Sequence, residues 1–160
     1  RMNFSAAETT AKLQQRERSL FMRKLVRHNL TSLMGLYEEN SSLLFRLIPE
    51  IRSLEVGSEQ QLENPLPLIL KIQEQSPYTT TLNLTHRFIG ESGEEEEPSA
   101  KIRLYYDSDQ AEVLSMSQGE SLRSFLSLIK SGEENLDARW RLNLFLNHWL
   151  RYCLEQGYQF

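Results

Sequence analysis

Apolar residues recur at helical spacing near both ends of the chain. The first stripe, at about 100° per residue, consists of Met22, Val26, Leu30, Leu33 and Tyr37. Asn29 is a candidate N-cap at which a helix restarts, and Pro49 requires that helix to end. The pattern also predicts helices over residues 6–28 and 119–131 and a long terminal helix over Asn135–Gln156.

Between these helical regions the apolar pattern changes to a period of two, which is typical of half-buried strands. Strands are predicted over Ile51–Val56, Leu66–Ile72, Tyr78–Phe88, AKIRLYYD (100–107) and QAEVLSM (110–116). Consecutive strands without intervening helices favour antiparallel pairing over a doubly wound fold. The predicted fold class is therefore α+β: an antiparallel β-meander of four to five strands packed with N-terminal helices and a long C-terminal helix.

The last hairpin carries the most specific prediction. A two-residue connection, Ser108-Asp109, sets Tyr105 opposite Glu112 and Leu104 opposite Val113. The face that we expect to be buried holds Ile102, Leu104, Tyr106, Ala111 and Val113. The opposite face presents Arg103, Tyr105, Asp107 and Glu112.

Composition and charge divide the chain into two parts. With 160 residues and 39% hydrophobic content, one globular domain over residues 29–160 is expected. Residues 1–28 form a basic, helical N-terminal extension in this interpretation, carrying Arg1, Lys12, Arg16, Arg18, Arg23, Lys24 and Arg27 against Glu8 and Glu17. The run Glu94–Glu97 lies among Gly, Ser and Pro, so we predict a disordered acidic loop near 90–99.

Targeting signals and cysteine content bear on the compartment. No apolar run approaches the roughly 20 residues of a membrane span, and no secretory signal pattern is visible at the N-terminus. One cysteine cannot form an internal disulfide, which suits a reducing environment. The sequence therefore predicts a cytoplasmic protein.

The lone cysteine stands in the segment WLRYCLEQG (149–157), five residues after His148. Helical geometry turns two residues at this spacing about 140° apart, so they cannot form a catalytic dyad on one helix. The inward stripe of this helix is predicted to consist of Leu142, Leu146, Trp149 and Cys153. We therefore interpret Cys153 as a structural core residue.

Motifs for metals and phosphates are absent from the sequence. His28, His86 and His148 lie on separate elements. None of them occurs in an HxH, HxxxH or HxxE pattern, which are the spacings typical of metal ligands. No GxGxxG or GxxxxGK[ST] pattern occurs among the seven glycines. We expect no metal, no catalytic nucleophile and no cofactor.

The polar hairpin face is the best candidate for a site. Arg103, Tyr105, Asp107 and Glu112 place a guanidinium, a phenol and two carboxylates within reach of one another. These groups can bind a polar ligand or act as acid and base, and the alternative is a solvated face of weak ion pairs. The basic residues 12–27 provide a separate hypothesis of nucleic-acid or lipid contact, although aromatic interleaving is poor.

Four stretches together resemble, in order, the YqiB-like family of small bacterial cytoplasmic proteins. They are LMGLYEENSSLLFRLIP (33–49), SPYTTTLNLTH (76–86), KIRLYYDSDQAEV (101–113) and LNLFLNHWLRYCLEQG (142–157). The resemblance marks Glu38, Asn40, Tyr78, Thr79, Arg103, Tyr105, Asp107, Glu112, Asn143, Trp149 and Cys153 as motif positions. It implies a fold unit and a compartment, and it supplies no reaction, substrate or cofactor.

Three hypotheses on function follow. The first is a non-enzymatic adaptor or regulatory module whose ligand or partner surface consists of Arg103, Tyr105, Asp107, Glu112, Glu38 and Asn40. The second is a small acid–base enzyme acting on a polar ligand through Asp107 or Glu112 beside Arg103. The third is nucleic-acid or lipid contact through the basic N-terminal segment, and a homodimer through an unpaired strand edge is also open.

Overall fold

The computed structural model describes residues 30–91, 93–117 and 134–160. The helices predicted over residues 6–28 and 119–131, and the Asn29 cap, lie outside these residues. The described elements are α1 (Leu30–Leu47), a 3-10 turn (Ile51–Ser53), β1 (Glu59–Leu62), β2 (Leu68–Gln75), β3 (Thr79–Gly90), β4 (Gly93–Tyr105), β5 (Gln110–Ser117) and α2 (Glu134–Glu155).

The five strands form one sheet in the order β1-β2-β3-β4-β5, and every neighbouring pair is antiparallel. This meander confirms the α+β prediction. Both described helices pack on one side of the sheet, where alternate strand residues join a single core. Its fully buried members on the strands include Leu68, Leu70, Ile72, Leu82, Leu84, Ile102 and Leu104.

The terminal helix α2 orients its residues as helical spacing predicts. Leu146, Trp149 and Cys153 are buried in the core, and Leu142 packs against it. His148 is exposed on the other side of the helix. The described part of the terminal segment therefore serves packing.

The strand predicted over Ile51–Val56 is wrong. Ile51 is buried in a 3-10 turn instead, and the Gln75 amide clamps the segment by donating to the carbonyl oxygens of Ile51 and Leu54, at 2.8 and 2.9 Å. The first strand is β1, within the polar stretch that follows. An edge strand requires backbone pairing and not apolar side chains, so hydrophobic alternation did not reveal it.

The disordered loop predicted near 90–99 is also not what the described residues form. β3 runs to Gly90 and β4 begins at Gly93, so the acidic run Glu94–Glu97 lies within a paired strand. Glu96 stands opposite Arg87 in the register, and its carboxylate accepts hydrogen bonds from that guanidinium, the shorter at 2.9 Å. A cross-strand cation thus offsets part of the repulsion that the sequence alone indicates.

The register predicted for the last hairpin is shifted by two residues. Glu112 pairs with Arg103, and Gln110 pairs with Tyr105, so residues 106–109 form a four-residue connection. A two-residue turn of the usual hairpin type requires a positive φ at both central residues, whereas only Asp109 has one, at 51°. The Tyr106 N–H donates instead to the carbonyl oxygen of Tyr78 at 2.9 Å.

Because the shift is even, the two faces keep their predicted members. Ile102, Leu104, Ala111 and Val113 are buried, and Tyr106 is partly buried. The polar residues remain on the opposite side of the sheet, which we call the outer face.

Candidate functional site

The outer face is the sheet surface that points away from α1 and α2. Successive side chains of a strand point to opposite faces, so every second residue of β2, β3, β4 and β5 lies on this face, and most of these residues are polar. Its members include Lys71, Glu74, Thr81, Asn83, Thr85, Arg87, Ser99, Lys101, Arg103, Tyr105 and Glu112. Two features stand out on this face: a cluster of charged residues beside the last hairpin, and a groove nearer β1.

The cluster consists of Arg103, Tyr105 and Glu112, three of the four residues that the sequence analysis places on this face. The Tyr105 hydroxyl donates to the Glu112 carboxylate at 2.5 Å. Arg103 donates through Nε to the Thr81 hydroxyl at 3.1 Å and forms an ion pair with Glu74 at 3.6 Å. Tyr105 and Glu112 thus form one pair, and Arg103, the register partner of Glu112, is held beside them by Thr81 and Glu74.

The phenols of this region have perturbed ionisation. Burial raises the pKa of Tyr105, and its hydrogen bond to Glu112 raises that pKa further, while Arg103 acts in the opposite direction. Burial likewise raises the pKa of Tyr37 on α1, and the Glu112 charge adds to this effect. Tyr37 thus lies within electrostatic reach of Glu112, a neighbour that sequence patterns did not indicate.

The other predicted surface residues do not join the cluster. Asp107 lies in the exposed turn between β4 and β5, and Glu38 is exposed on α1. Asn40 is fully buried, so its assignment to a ligand or partner surface is wrong. Its amide donates to the Asn143 carbonyl oxygen and accepts from the Asn147 amide, each at 3.0 Å, because α1 and α2 pack together around it.

The groove on the outer face encloses about 270 Å³. Its floor contains Ile69, which is buried, and the hydroxyls of Thr85 and Ser99, which are hydrogen-bonded to each other at 2.8 Å. The complete lining is Glu59, Ile69, Lys71, Asn83, Thr85, Arg87, Glu96 and Ser99. The groove is therefore polar, and it carries charges of both signs.

One end of the groove is dominated by carboxylates. The hydrogen bond with Glu96 raises the pKa of Arg87, and the charges of Glu96, Glu94 and Glu59 act in the same direction. Glu96 contacts this guanidinium directly, and Glu94 and Glu59 act on it only through their charge. On the other side of the groove, Glu59 is also the register partner of Lys71.

Sequence reasoning did not identify the groove as a site. Alternation does place Asn83, Thr85 and Arg87 on one side of β3. The missing information was the pairing of β3 with β2 and with the acidic half of β4. That half was predicted to be a loop, so Glu96 and Ser99 had no position on the sheet.

Cys153 and His86 meet in the core, although they are far apart in sequence. The Cys153 sulfur lies 4.0 Å from His86 Nε2. Burial raises the pKa of the Cys153 thiol to about 12 and lowers the pKa of His86. A buried neutral thiol beside a neutral imidazole lacks the thiolate that nucleophilic catalysis requires, which supports the structural interpretation of Cys153.

The described residues contain neither a metal-binding cluster nor a membrane-spanning helix. Across residues 30–91, 93–117 and 134–160, no group of three or more His, Cys, Asp or Glu side chains is placed to hold a metal ion. No described helix combines the length and apolar composition of a membrane span.

Comparison with known proteins places the chain in a family. Residues 43–159 match the family described as "Protein of unknown function (DUF1249)". The chain belongs to this family. Two similar proteins are those named "Uncharacterized protein YqiB" from Escherichia coli strain K12 and from Escherichia coli O157:H7. Each is 32% identical over 131 residues, which cover 78% of this chain and 88% of the relative. No solved structure matches the chain.

Proposed function

We propose that this DUF1249 protein is a non-enzymatic binding protein of the bacterial cytoplasm and that its outer face recognises a small polar ligand. The observation that carries the proposal is the 270 Å³ groove with its hydroxyl, amide and charged lining. Ligand sites are usually concave and contain a few polar groups that fix orientation. Asn83, Thr85 and Ser99 would supply such groups here.

The groove and the cluster of Arg103, Tyr105 and Glu112 occupy different parts of the outer face. Neither Arg103 nor Glu112 lines the groove, and the carboxylate of Glu112 already accepts a hydrogen bond from Tyr105. A catalytic acid or base must reach a ligand held in a pocket. This separation favours binding over the alternative of a small acid–base enzyme.

The proposal is tested by NMR titration of the ¹⁵N-labelled protein with a low-molecular-mass fraction of bacterial extract. We expect amide shifts that cluster on β2, β3 and β4 around Lys71, Asn83 and Ser99. The variant Thr85→Val, which removes a groove hydroxyl while retaining the side-chain shape, should weaken these shifts. Arg46→Gln, on α1, serves as the control and should leave them unchanged.

Two results would contradict the proposal. Shifts confined to the helices would place the ligand elsewhere, and turnover of an extract component that disappears in Glu112→Gln would favour the enzyme.

The nucleic-acid or lipid hypothesis concerns residues 1–28, outside the described part of the chain. A gel shift at low salt that weakens steeply between 50 and 200 mM salt would support it.

A further inference from the structure

Two lysines flank Asn83 on the outer face. Lys71 on β2 and Lys101 on β4 are both register partners of Asn83 on β3. Neighbouring strands are about 4.8 Å apart, so the two lysine Cα atoms are separated by about 10 Å. Long, flexible side chains at this separation can bring both ammonium groups to one ligand above the Asn83 amide.

These lysines differ from the outer-face arginines in their charge partners. Arg87 is paired with Glu96 and Arg103 with Glu74. Among the residues that the structure describes, neither Lys71 nor Lys101 forms an ion pair with a carboxylate. Lys71 faces Glu59 across the β1–β2 ladder without forming an ion pair with it, and Lys101, beside the groove, has Ser115 as its register partner on β5. Neither ammonium group is therefore held by a carboxylate, and one strand lies between them.

The groove floor adds hydrogen-bond donors beside these charges. Thr85 and Ser99 share one hydrogen bond. Since each hydroxyl carries one hydrogen, one of the two hydrogens remains to be donated to a ligand. The Asn83 side chain contributes an amide that can donate as well. Two ammonium groups, an amide and a hydroxyl form a donor set suited to the oxygen atoms of an anion.

We propose that the groove binds the phosphate or carboxylate group of a small molecule between Lys71 and Lys101. This inference rests on the proposed binding function and names its ligand class. The anionic group is not expected at the Arg87 end, because Glu96 already pairs with that guanidinium and the Glu94 charge also acts on it. The rest of the ligand, which extends toward this acidic end, is therefore neutral or cationic.

The volume of the groove limits the size of the ligand. Pockets for drug-sized molecules usually enclose about 300–1,000 Å³, and this groove lies just below that range at about 270 Å³. A ligand that fits inside it has one anionic group and a short polar extension. A long polymer such as a nucleic acid would extend well beyond the lining residues.

The experiment is a titration of the full ¹⁵N-labelled chain with inorganic phosphate and, separately, with succinate. Sodium chloride holds the ionic strength constant, so general screening is not mistaken for binding. We expect saturable shifts of the Asn83, Thr85 and Lys101 amides with at least one anion. The stronger of the two titrations identifies the preferred anionic group.

Lysine variants test the assignment of the charges. Lys71→Met and Lys101→Met should each weaken binding about fivefold, as expected for loss of one solvent-exposed charge contact, and the double variant should lose saturable binding. Arg46→Gln removes one positive charge elsewhere and should bind as the parent does. An unchanged urea midpoint in each variant verifies that folding is intact.

The inference is overturned if neither anion gives saturable shifts or if the lysine variants bind as tightly as the parent. Failure here is distinguishable from failure of the binding function itself. If the bacterial extract still shifts outer-face amides, the protein binds a ligand that is not anionic. If the extract also leaves the outer face unchanged, both proposals fail.

Discussion

Replacement of Asn40 by alanine should destabilise the protein strongly, although Asn40 lies in a segment that the sequence assigns to a surface. The side chain is fully buried between α1 and α2. It makes two hydrogen bonds of 3.0 Å, one to the Asn143 carbonyl oxygen and one from the Asn147 amide. Asn147 is itself buried, so Asn40→Ala leaves one of its amide hydrogens without this partner.

The magnitude follows from these contacts. Two lost hydrogen bonds cost about 1 kcal/mol each, and an unsatisfied buried donor adds about 1–3 kcal/mol. The higher helix propensity of alanine offsets about 0.5 kcal/mol of this loss. We therefore expect the free energy of unfolding to fall by about 2.5–4.5 kcal/mol, which lowers the melting temperature by about 5–18 °C in a chain of this length.

Urea unfolding followed by tryptophan fluorescence and circular dichroism measures this change. The matched control is Glu38→Ala, two positions earlier on α1 and exposed, which should alter the free energy by no more than about 0.5 kcal/mol. In the double variant with Asn147→Ala, the cost should be smaller than the sum of the single costs, because the two amides share a bond.

Equal and small effects of Asn40→Ala and Glu38→Ala would refute this reasoning. Such a result would mean that Asn40 is solvated. Asn40 would then again be a candidate residue of the ligand or partner surface.

Three further predictions concern the core and the outer face. Because burial lowers the pKa of His86, the contribution of His86 to stability should be constant above about pH 6.5, the ordinary histidine value, and should fall as the pH drops toward the lowered value; parallel pH profiles for the parent and His86→Phe would contradict this. Cys153, with a thiol pKa of about 12, should resist a thiol-specific disulfide reagent at pH 8 in the folded protein and react fully in urea, whereas rapid labelling of the native state would show that the thiol is accessible. Arg103→Ala and Glu112→Ala should each lower the free energy of unfolding by no more than about 1 kcal/mol, as partly exposed polar contacts do, and a larger loss in thermal melts would indicate a network on which the sheet depends.

Periodicity predicted most of the fold because apolar side chains decide which face of each element is buried. The alternation of Leu82 and Leu84 in β3 and the spacing of Leu146 and Cys153 in α2 both reflect burial against one core. Such patterns are local, so a single sequence reveals them. The order of the antiparallel strands followed from the short connections between them.

Features that depend on backbone pairing were harder to predict. β1 has no buried residue, and the Glu94–Glu97 run is held in a strand partly by Arg87 across the ladder. The hairpin register depended on the backbone angles of a four-residue connection. None of these features leaves a hydrophobic signature.

The candidate site was predictable only in part, for related reasons. Arg103 and Tyr105 share a face because they are two residues apart on one strand. Lys71 and Lys101, by contrast, lie on β2 and β4 and become neighbours only because both strands pair with β3. Asn40 was misassigned because an amide in a polar segment resembles a surface residue. Its hydrogen-bond partners on α2 are more than 100 positions away.

The Asn143 side chain has a consequence for self-association. Its oxygen accepts a hydrogen bond from the Val113 N–H at 2.9 Å. At this position the free edge of β5 is therefore already paired with a side chain of α2. A strand from another molecule cannot pair with Val113, so the β5 edge is interrupted there, and β1 is the other edge strand of the described sheet. Association through the β1 edge alone would stop at a two-fold pair, because each copy uses its one β1 edge in that pair.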